Sequence, residues 1–283
     1  MSRLSKTPEQ PIIPRIKYNT ILNVLMRGYH VDKRPITSYR PIEIVFNVAP
    51  KAEGSALVRL GNTQVIAGVK MEVGQPYPDT PNEGAIIVNA EYIPAASPSF
   101  EPGPPDENAI ELARVIDRAI RESKAIPLDK LCIVPGKKVW ILWLDIYVLD
   151  HDGNLVDAAM LAAMAALSNT YIPYYEVLDP DTGAIKVDKL RKKEPLPLSK
   201  YVVITTIYKI NHALVIDPTA EEESVASYRL SVAIDEDKRI VGLQKTGLGS
   251  MTEKEIDEII SLSLAKADEL IGILKSVKSQ SSS

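Results

Sequence analysis

The segment that most constrains the fold runs from Lys138 to Leu149, with the sequence KVWILWLDIYVL. Its apolar side chains are dense enough for a strand at the centre of a sheet, covered on both faces. After a turn at residues 152–154, the segment VDAAMLAAMAAL (residues 156–167) predicts an alanine-rich helix that packs closely against that sheet. Neither segment can face water, so other layers of the chain, or a partner, must cover them.

The remaining elements are predicted from hydrophobic periodicity and turn residues. Before the central strand come a helix ended by a glycine, a strand, a hairpin with a Gly-Asn turn and another strand: Lys17–Arg27, Ile42–Phe46, Gly54–Lys70 and Ala85–Ile93. After the alanine-rich helix come a polar hairpin, four strands and a long helix that starts with a capping box: Val177–Asp188, Tyr201–Lys209, Ala213–Ile216, Tyr228–Ile234, Ile240–Lys245 and Thr252–Lys278. The basic connection KLRKKEP (189–195) is predicted to be a solvated loop.

This order of elements predicts an α+β fold of two related β-α halves, with mixed sheets and packed helices. It argues against a doubly wound dinucleotide-binding fold, in which strands and helices alternate throughout. We divide the chain into an N-terminal arm (1–16), a first half (17–195), a second half (196–278) and a frayed, disordered tail (279–283).

Composition excludes several classes of protein. The net charge of −4 argues against nonspecific nucleic-acid binding by overall charge, so such binding must use a local patch. The single cysteine excludes an intrachain disulfide, and the three histidines lie far apart in the sequence, so no metal site is expected. Because the sequence lacks a long apolar run and a signal-peptide core, we expect a cytoplasmic protein with no membrane contact.

An amphipathic helix is predicted from Asp106 to Lys124. The two prolines before it cannot continue a helix upstream, and the Asp106 carboxylate can accept from the free amides of the first turn. Apolar residues fall on one face of this helix. On the opposite face, within an arc of about 60°, lie Arg114, Arg118 and Arg121.

Two interpretations of this arginine face remain open from the helix alone. It can be a solvated face whose charges pair with each other, each pair contributing about 0.2–0.5 kcal/mol. The pairs at helical spacing are Glu111–Arg114, Arg118–Glu122 and Asp117–Arg121. The face can also bind an anionic partner, since the exclusive use of arginine favours recognition of phosphate groups.

Four motifs carry a family resemblance: GSALVRLGNTQVIAGVK, PGPPDENAIELARVIDRAIRES, WLDIYVLDHDGNLVDAA and the late GSMT. They resemble the RNase PH family of phosphorolytic exoribonucleases, in particular its non-catalytic branch in the archaeal exosome core. The resemblance covers nearly the whole chain and implies the RNase PH-like fold, in agreement with the two predicted halves. It also implies a hexameric ring of three heterodimers with a catalytic RNase PH-like subunit. RNA-binding cap subunits would sit on one face, and single-stranded RNA would thread the centre.

The resemblance implies that the chemistry lies in the partner. Active members carry two acidic residues, two positions apart, that hold a metal ion or polarise the attacked phosphate. Ser227 and Arg229 stand at these positions here and can do neither. Glu107 and Asn108 replace a pair of arginines, and residues 153–155 (GNL) replace a Gly-Ser-Arg phosphate cradle. We therefore expect no catalytic residue and no cofactor; the partner would use inorganic phosphate and any divalent metal.

The arginine helix gains a function from the same resemblance. In the resembling subunit, arginines on this helix project to the heterodimer interface and grip the backbone of the last nucleotides. Arg114 and Arg118 match those positions, and Arg121 continues the row, although Asp117 can neutralise it. The implied function is a non-catalytic subunit that structures the partner's active site and binds the RNA 3′ end during 3′-to-5′ phosphorolysis. The sequence leaves open whether RNA contacts four further basic residues: Lys189, Arg191, Lys192 and Lys193.

Three alternatives stay open. An independently active phosphorolytic exoribonuclease could use nearby acids instead (Asp217, Glu221, Glu222 and Glu223), although such a charge run at a strand connection is usually a solvated loop. A small-molecule phosphotransferase is suggested by KTGLGSMT, which resembles the glycine-rich phosphate loop of the galactokinase–homoserine kinase group; a capping box explains the same residues structurally. A purely structural ring subunit would make no RNA contact.

Overall fold

A computed structural model describes residues 15–281 of the chain and contains, within them, five α-helices and twelve β-strands. The helices are α1 (Arg15–Leu25), α2 (Glu107–Ser123), α3 (Leu155–Ser168), α4 (Ala220–Glu223) and α5 (Glu253–Ser281). The strands are β1 (Ile42–Phe46), β2 (Gly54–Leu60), β3 (Thr63–Gly74), β4 (Ala85–Tyr92), β5 (Cys132–Val134), β6 (Lys138–Asp150), β7 (Tyr171–Asp179), β8 (Ala184–Pro195), β9 (Val202–Ile210), β10 (Ala213–Ile216), β11 (Tyr228–Asp235) and β12 (Ile240–Thr246). The predicted α+β class is confirmed.

The described strands form three sheets. The first has the order β1-β2-β3-β6-β4, with β5 also paired to β6, and it is mixed because β4 runs parallel to β6. The second has the order β10-β9-β11-β12 and is antiparallel throughout. The third is the β7-β8 hairpin alone. Strand β6 therefore lies between two neighbours, as its apolar sequence predicts.

The core lies around α2 and α3, which contact strands of both large sheets, while α5 packs against β9 and β11. Every residue of α3 from Val156 to Leu167 is buried, which the small alanine side chains permit. The approach to β2 is so close that a Cβ at Gly54 would lie 2.2 Å from Oγ1 of Thr170. The predicted close packing of the alanine-rich helix is confirmed.

Segment 189–195 corrects one prediction, because it is part of strand β8 and not a solvated loop. Its charged side chains are exposed, as predicted, but its backbone pairs with β7 from Lys192 onward, whereas residues 189–191 have no partner there. A two-stranded sheet buries little of either strand, so the polar sequence does not prevent strand formation.

Two of the predicted boundaries lie near the ends of the chain, at the arm and at the tail. Helix α5 continues to Ser281, so the prediction of a frayed tail from residue 279 is wrong at its start. Of the predicted arm, residues 1–14 lie outside the described residues, and Arg15 and Ile16 belong to α1. The division between halves at 195–196 stays a prediction. In the described part of the chain, no helix is long and apolar enough to cross a membrane.

Candidate nucleic-acid interface

Helix α2 presents the arginine face on a well-capped element. The Asp106 side chain accepts from the amide of Ala109 at 2.8 Å, and Lys124 ends the helix in a left-handed conformation with φ of 53°. The face toward the core is the one predicted, and its buried residues are Ala109, Leu112, Ala113, Ile116, Ala119, Ile120 and Ser123. Because this face is anchored, the backbone positions of the three arginines on the opposite face are fixed.

The three arginines are all exposed but differ in their partners. Arg121 donates to the carboxylate of Asp117 at 2.7 Å and to the carbonyl of Ile86 at 3.1 Å. Arg114 and Arg118 make no hydrogen bond or ion pair with any residue that the structure describes. The self-paired interpretation therefore holds for Arg121 alone.

Glu111 explains why Arg114 stays unpaired. Its carboxylate accepts from Oγ1 of Thr246 at 2.8 Å and from Nε2 of Gln244 at 3.4 Å, both on β12. It is thereby turned toward the second sheet and away from the i,i+3 partner that the sequence offers. Helical spacing cannot predict such a partner, because it compares only residues of the same helix.

Lys124 extends the basic surface beyond the helix. It is exposed, and together with Arg121 and Lys200 it lines a groove of about 580 Å³ at the C-terminal end of α2. Lys200 is held by Asp235 and Asp237, so its charge is already balanced. Sequence reasoning missed Lys124 because the residue follows the last helical turn, where the angular spacing used for the face no longer applies.

A cavity of about 170 Å³ lies beside α2, and positions that the resemblance assigns to catalysis meet there. Asn108, Leu155 and Arg229 line the same cavity, from α2, α3 and β11. The turn before α3 is tight, since Gly153 adopts φ of 84° and a Cβ there would lie 2.4 Å from the carbonyl of Pro218. The structure thus brings the matching positions together, but with an amide, an apolar side chain and a paired cation.

Arg229 carries no surplus charge for a ligand. Its guanidinium donates to the Glu223 carboxylate at 2.7 Å, and Glu223 also accepts from the amide of Asn154 at 3.0 Å. Burial alone would lower the pKa of Arg229, but Tyr208 and Glu223 raise it, so the residue stays charged. His151, stacked on Phe100 in the same cavity, has a pKa lowered chiefly by burial. At neutral pH the pair and the imidazole together give an inorganic phosphate ion no net positive charge to bind.

The acids near this cavity are structural. Asp217 is fully buried and accepts from the Arg40 guanidinium at 2.7 Å. Glu222 is also fully buried and lies 2.8 Å from Nδ1 of His30; burial raises its pKa, but His30 and the backbone amides of Val31 and Thr219 together lower it below its ordinary value. Among the described residues no three His, Cys, Asp or Glu side chains converge to hold a metal ion. The prediction of a solvated loop is therefore wrong for the buried Asp217 and Glu222, whereas Glu221 is exposed, as predicted, and pairs with Lys17.

The glycine-rich segment before α5 has a structural explanation. The amide of Thr252 donates to Oε2 of Glu255 at 2.9 Å, and the amide of Glu255 donates to Oγ1 of Thr252 at 3.3 Å. Both bonds of the predicted capping box are therefore present. This box accounts for the residues that suggest a phosphotransferase loop.

Comparison with known proteins identifies the wider family. Models of the 3′ exoribonuclease family match the chain in two parts: domain 1 over residues 38–173 and domain 2 over residues 200–266. The chain is 50% identical over 273 residues to the exosome complex component Rrp42 of Sulfurisphaera tokodaii, covering 96% of this chain and 98% of that protein. It is 52% identical over 262 residues to the Rrp42 component of Aeropyrum pernix, covering 92% and 94%.

Solved structures agree with these relatives. A chain in a structure of the Archaeoglobus fulgidus exosome with RNA bound to the active site superposes with a TM-score of 0.81 at 48% identity. The match covers 90% of this chain and 96% of that one. A chain of an archaeal exosome core gives a TM-score of 0.78 at 44% identity, covering 92% and 96%. The predicted RNase PH-like fold is confirmed.

Proposed function

The chain belongs to the 3′ exoribonuclease family, and from this membership we propose that it is the non-catalytic subunit of an exosome core ring. It pairs with a catalytic RNase PH-like subunit, helps to structure that subunit's active site and binds the RNA 3′ end for 3′-to-5′ phosphorolysis. Relatives about 50% identical are exosome components, and a structural neighbour comes from an exosome with bound RNA. These similarities support the assembly.

The observation that carries the proposal is the condition of Arg114 and Arg118. Both are exposed on one rigid helix face, and neither has a partner within the described residues. A free guanidinium can bind a phosphodiester through two parallel hydrogen bonds without first breaking an internal ion pair. Such bonds fix the position of the backbone and do not distinguish bases, which suits degradation of any RNA sequence.

The reaction divides between the two subunits. In phosphorolysis, an oxygen of inorganic phosphate attacks the phosphorus of the last phosphodiester, the 3′ oxygen of the preceding nucleotide leaves, and a nucleoside diphosphate is released. Ser227 and Arg229 cannot hold a divalent metal, and the cavity beside them has no net positive charge for phosphate. We therefore assign phosphate and any divalent metal to the catalytic partner, and assign the holding of RNA to this chain.

Assembly follows the same proposal. The ring contains three heterodimers, carries RNA-binding cap subunits on one face, and works in the cytoplasm. We expect pairing with the catalytic subunit to be obligate for activity. A stable, monodisperse monomer that shows no association with that subunit at micromolar concentration would contradict this expectation.

The decisive experiment measures RNA phosphorolysis by three samples: this chain, its catalytic partner and the two mixed. We expect release of nucleoside diphosphates only from the mixture, because each chain lacks part of the site. Release by this chain alone would refute the assignment of a non-catalytic role. An equal rate for the partner alone and for the mixture would refute the contribution to its active site.

A purely structural ring subunit is separated from this proposal by a triple substitution: Arg114→Ala, Arg118→Ala and Arg121→Ala. If the assembled ring keeps its RNA affinity, the subunit is structural and the RNA-binding part of the proposal fails. We expect the ring to assemble normally and to bind RNA more weakly. The oligomer mass, measured by light scattering, controls for assembly.

A further inference from the structure

The β7-β8 hairpin carries a basic bulge. In its register, Pro173 lies opposite Lys192 and the next residue, Tyr174, lies opposite Asp188. Residues 189–191 therefore have no partner on β7 and project from the ladder. The Asp188 side chain accepts from the amide of Leu190 at 3.0 Å, which fixes the shape of this bulge. Leu190 is 98% exposed, so the bulge reaches fully into solvent.

Three cations of the hairpin lie over tyrosine rings. Arg191 lies 4.2 Å from the centroid of Tyr174, and two lysines make the same contact on neighbouring rings. These are Lys192 over Tyr171 at 4.4 Å and Lys193 over Tyr175 at 4.0 Å. Each contact holds a long basic side chain in one place at a modest cost in entropy. A guanidinium with one face on a ring keeps its other face for a base and its edge for a phosphate.

The hairpin also concentrates positive charge on a chain whose net charge is −4. Four of the five residues from 189 to 193 are basic. Lys193 has one acidic neighbour, Glu194, at 3.4 Å. Lys192 lies close enough to Lys278 at the end of α5 to repel it: the pKa of Lys278 is lowered by burial and, next, by the charge of Lys192. A cluster in which cations repel each other gains free energy when a polyanion binds.

The hairpin and the cavity beside α2 lie at opposite ends of β6. Tyr175 of the hairpin packs edge-on against Trp140 near the start of β6, with centroids 5.8 Å apart. Asp150 ends β6 ten residues later, next to His151 in the cavity wall. At about 3.3 Å per residue the separation along the strand is roughly 33 Å. A strand stacked at the duplex rise of about 3.4 Å per nucleotide needs roughly ten nucleotides to reach from the hairpin to that cavity, and an extended strand needs fewer.

We propose that the bulge and the cation–tyrosine pairs of the β7-β8 hairpin form a second RNA-binding site. It holds the phosphate backbone of single-stranded RNA upstream of the 3′ end that Arg114 and Arg118 hold. This inference rests on the proposed function for its choice of polyanion. Cations that are stacked on tyrosine rings around an exposed bulge can bind a flexible single strand better than the fixed surface of a folded acidic protein.

The test uses the full-length chain and a pair of matched variants. The first variant carries Lys189→Ala and Arg191→Ala, and both side chains are exposed on the bulge, so the core is untouched. The control variant carries Arg27→Ala and Lys254→Ala, which remove the same two charges from exposed sites elsewhere. Thermal unfolding of both variants checks that the fold is retained.

Binding is measured by fluorescence anisotropy with single-stranded RNA of about 4 and about 30 nucleotides, because the longer one is long enough to contact the hairpin and the cavity beside α2 at the same time. For the long RNA, we expect the bulge variant to bind about tenfold more weakly than the control. The slope of log affinity against log salt should become shallower by about 1.4 for this variant. Each of its two lost phosphate contacts contributes about 0.7 to that slope. For the short RNA the bulge variant and the control should bind alike.

The exchange Lys189→Arg with Arg191→Lys keeps both charges and should retain most of the affinity. Equal affinity of the bulge variant and the control for long RNA would overturn the inference. Unchanged RNA binding with loss of association with the catalytic partner would also overturn it, because the hairpin would then be a protein contact. Failure of the proposed function has a different signature, in which Arg114→Ala with Arg118→Ala leaves the binding of short RNA unchanged.

Discussion

Single substitutions along the arginine face should weaken RNA binding unequally. Arg114→Ala and Arg118→Ala each remove a guanidinium that has no internal partner in the described residues. A hydrogen bond to a charged group contributes about 1.5–3 kcal/mol when it is well formed. The two side chains are exposed in the isolated chain, so we expect the lower end of this range, about 1.5 kcal/mol, or roughly a tenfold loss of affinity each.

Arg121→Ala should cost less. Before binding phosphate, Arg121 must release the Asp117 carboxylate and the Ile86 carbonyl. The ion pair is partly exposed, with 46% and 31% of the two side chains accessible, so it contributes roughly 0.2–1 kcal/mol. Breaking the bond to the carbonyl costs about 1 kcal/mol more. The two costs together offset most of the free energy gained by binding a phosphate, so we expect Arg121→Ala to lower RNA affinity less than threefold.

The assay is anisotropy of a short single-stranded RNA with the assembled complex, at several salt concentrations. Removing one arginine that binds a phosphate should also lower the salt slope by about 0.7. Asp117→Asn frees Arg121 and serves as the matched variant, since it should raise the cost of Arg121→Ala toward that of Arg114→Ala. Equal losses for all three arginines while Asp117 is present would refute the argument that internal pairing sets their contributions, and so would a cost of Arg121→Ala that Asp117→Asn leaves unchanged.

Two further predictions concern stability. Burial raises the pKa of Asp157 to about 6 from its ordinary value of 3.8, and bonds from Thr206 and Tyr39 limit the rise. Between these pH values the folded chain retains a proton that the unfolded chain has lost, so rising pH should lower the free energy of unfolding. Urea titrations at several pH values should show this decrease in the wild type and not in Asp157→Asn. Gly54→Ala should lower the free energy of unfolding by about 1–3 kcal/mol because its Cβ would strike the chain after α3. Gly68→Ala, where a Cβ meets nothing within 4 Å, is the control, and equal effects of the two would contradict this account.

The elements that could be predicted from the sequence are those whose signals are local. The start of α2 follows from two prolines and the Asp106 cap, and the packing of α3 follows from its alanines. The pairing of the charges on α2 could not be predicted, because Thr246, more than a hundred residues away, takes the carboxylate of Glu111. The same reason applies to Asp217, whose partner Arg40 lies in the first half of the chain.

The residues of β8 show a different limit. A run of lysine and arginine predicts exposure, and the exposure is correct, but it carries no information about backbone pairing. The hairpin forms because backbone hydrogen bonds and tyrosine contacts suffice for a strand with no buried face. The positions of Asn108, Leu155 and Arg229 could be brought together only through the family resemblance, since no spacing in the sequence joins them.

The ion pair between Arg229 and Glu223 makes the loss of the catalytic groups hard to reverse. Returning an acid at position 229 in one step would place two carboxylates against each other in a partly buried cavity and leave both without their counter-ion. Such a variant would be less stable and would still have no metal site, so a single substitution brings no advantage. Because this single step back passes through a less stable protein, the ion pair favours retention of the non-catalytic state once it is present.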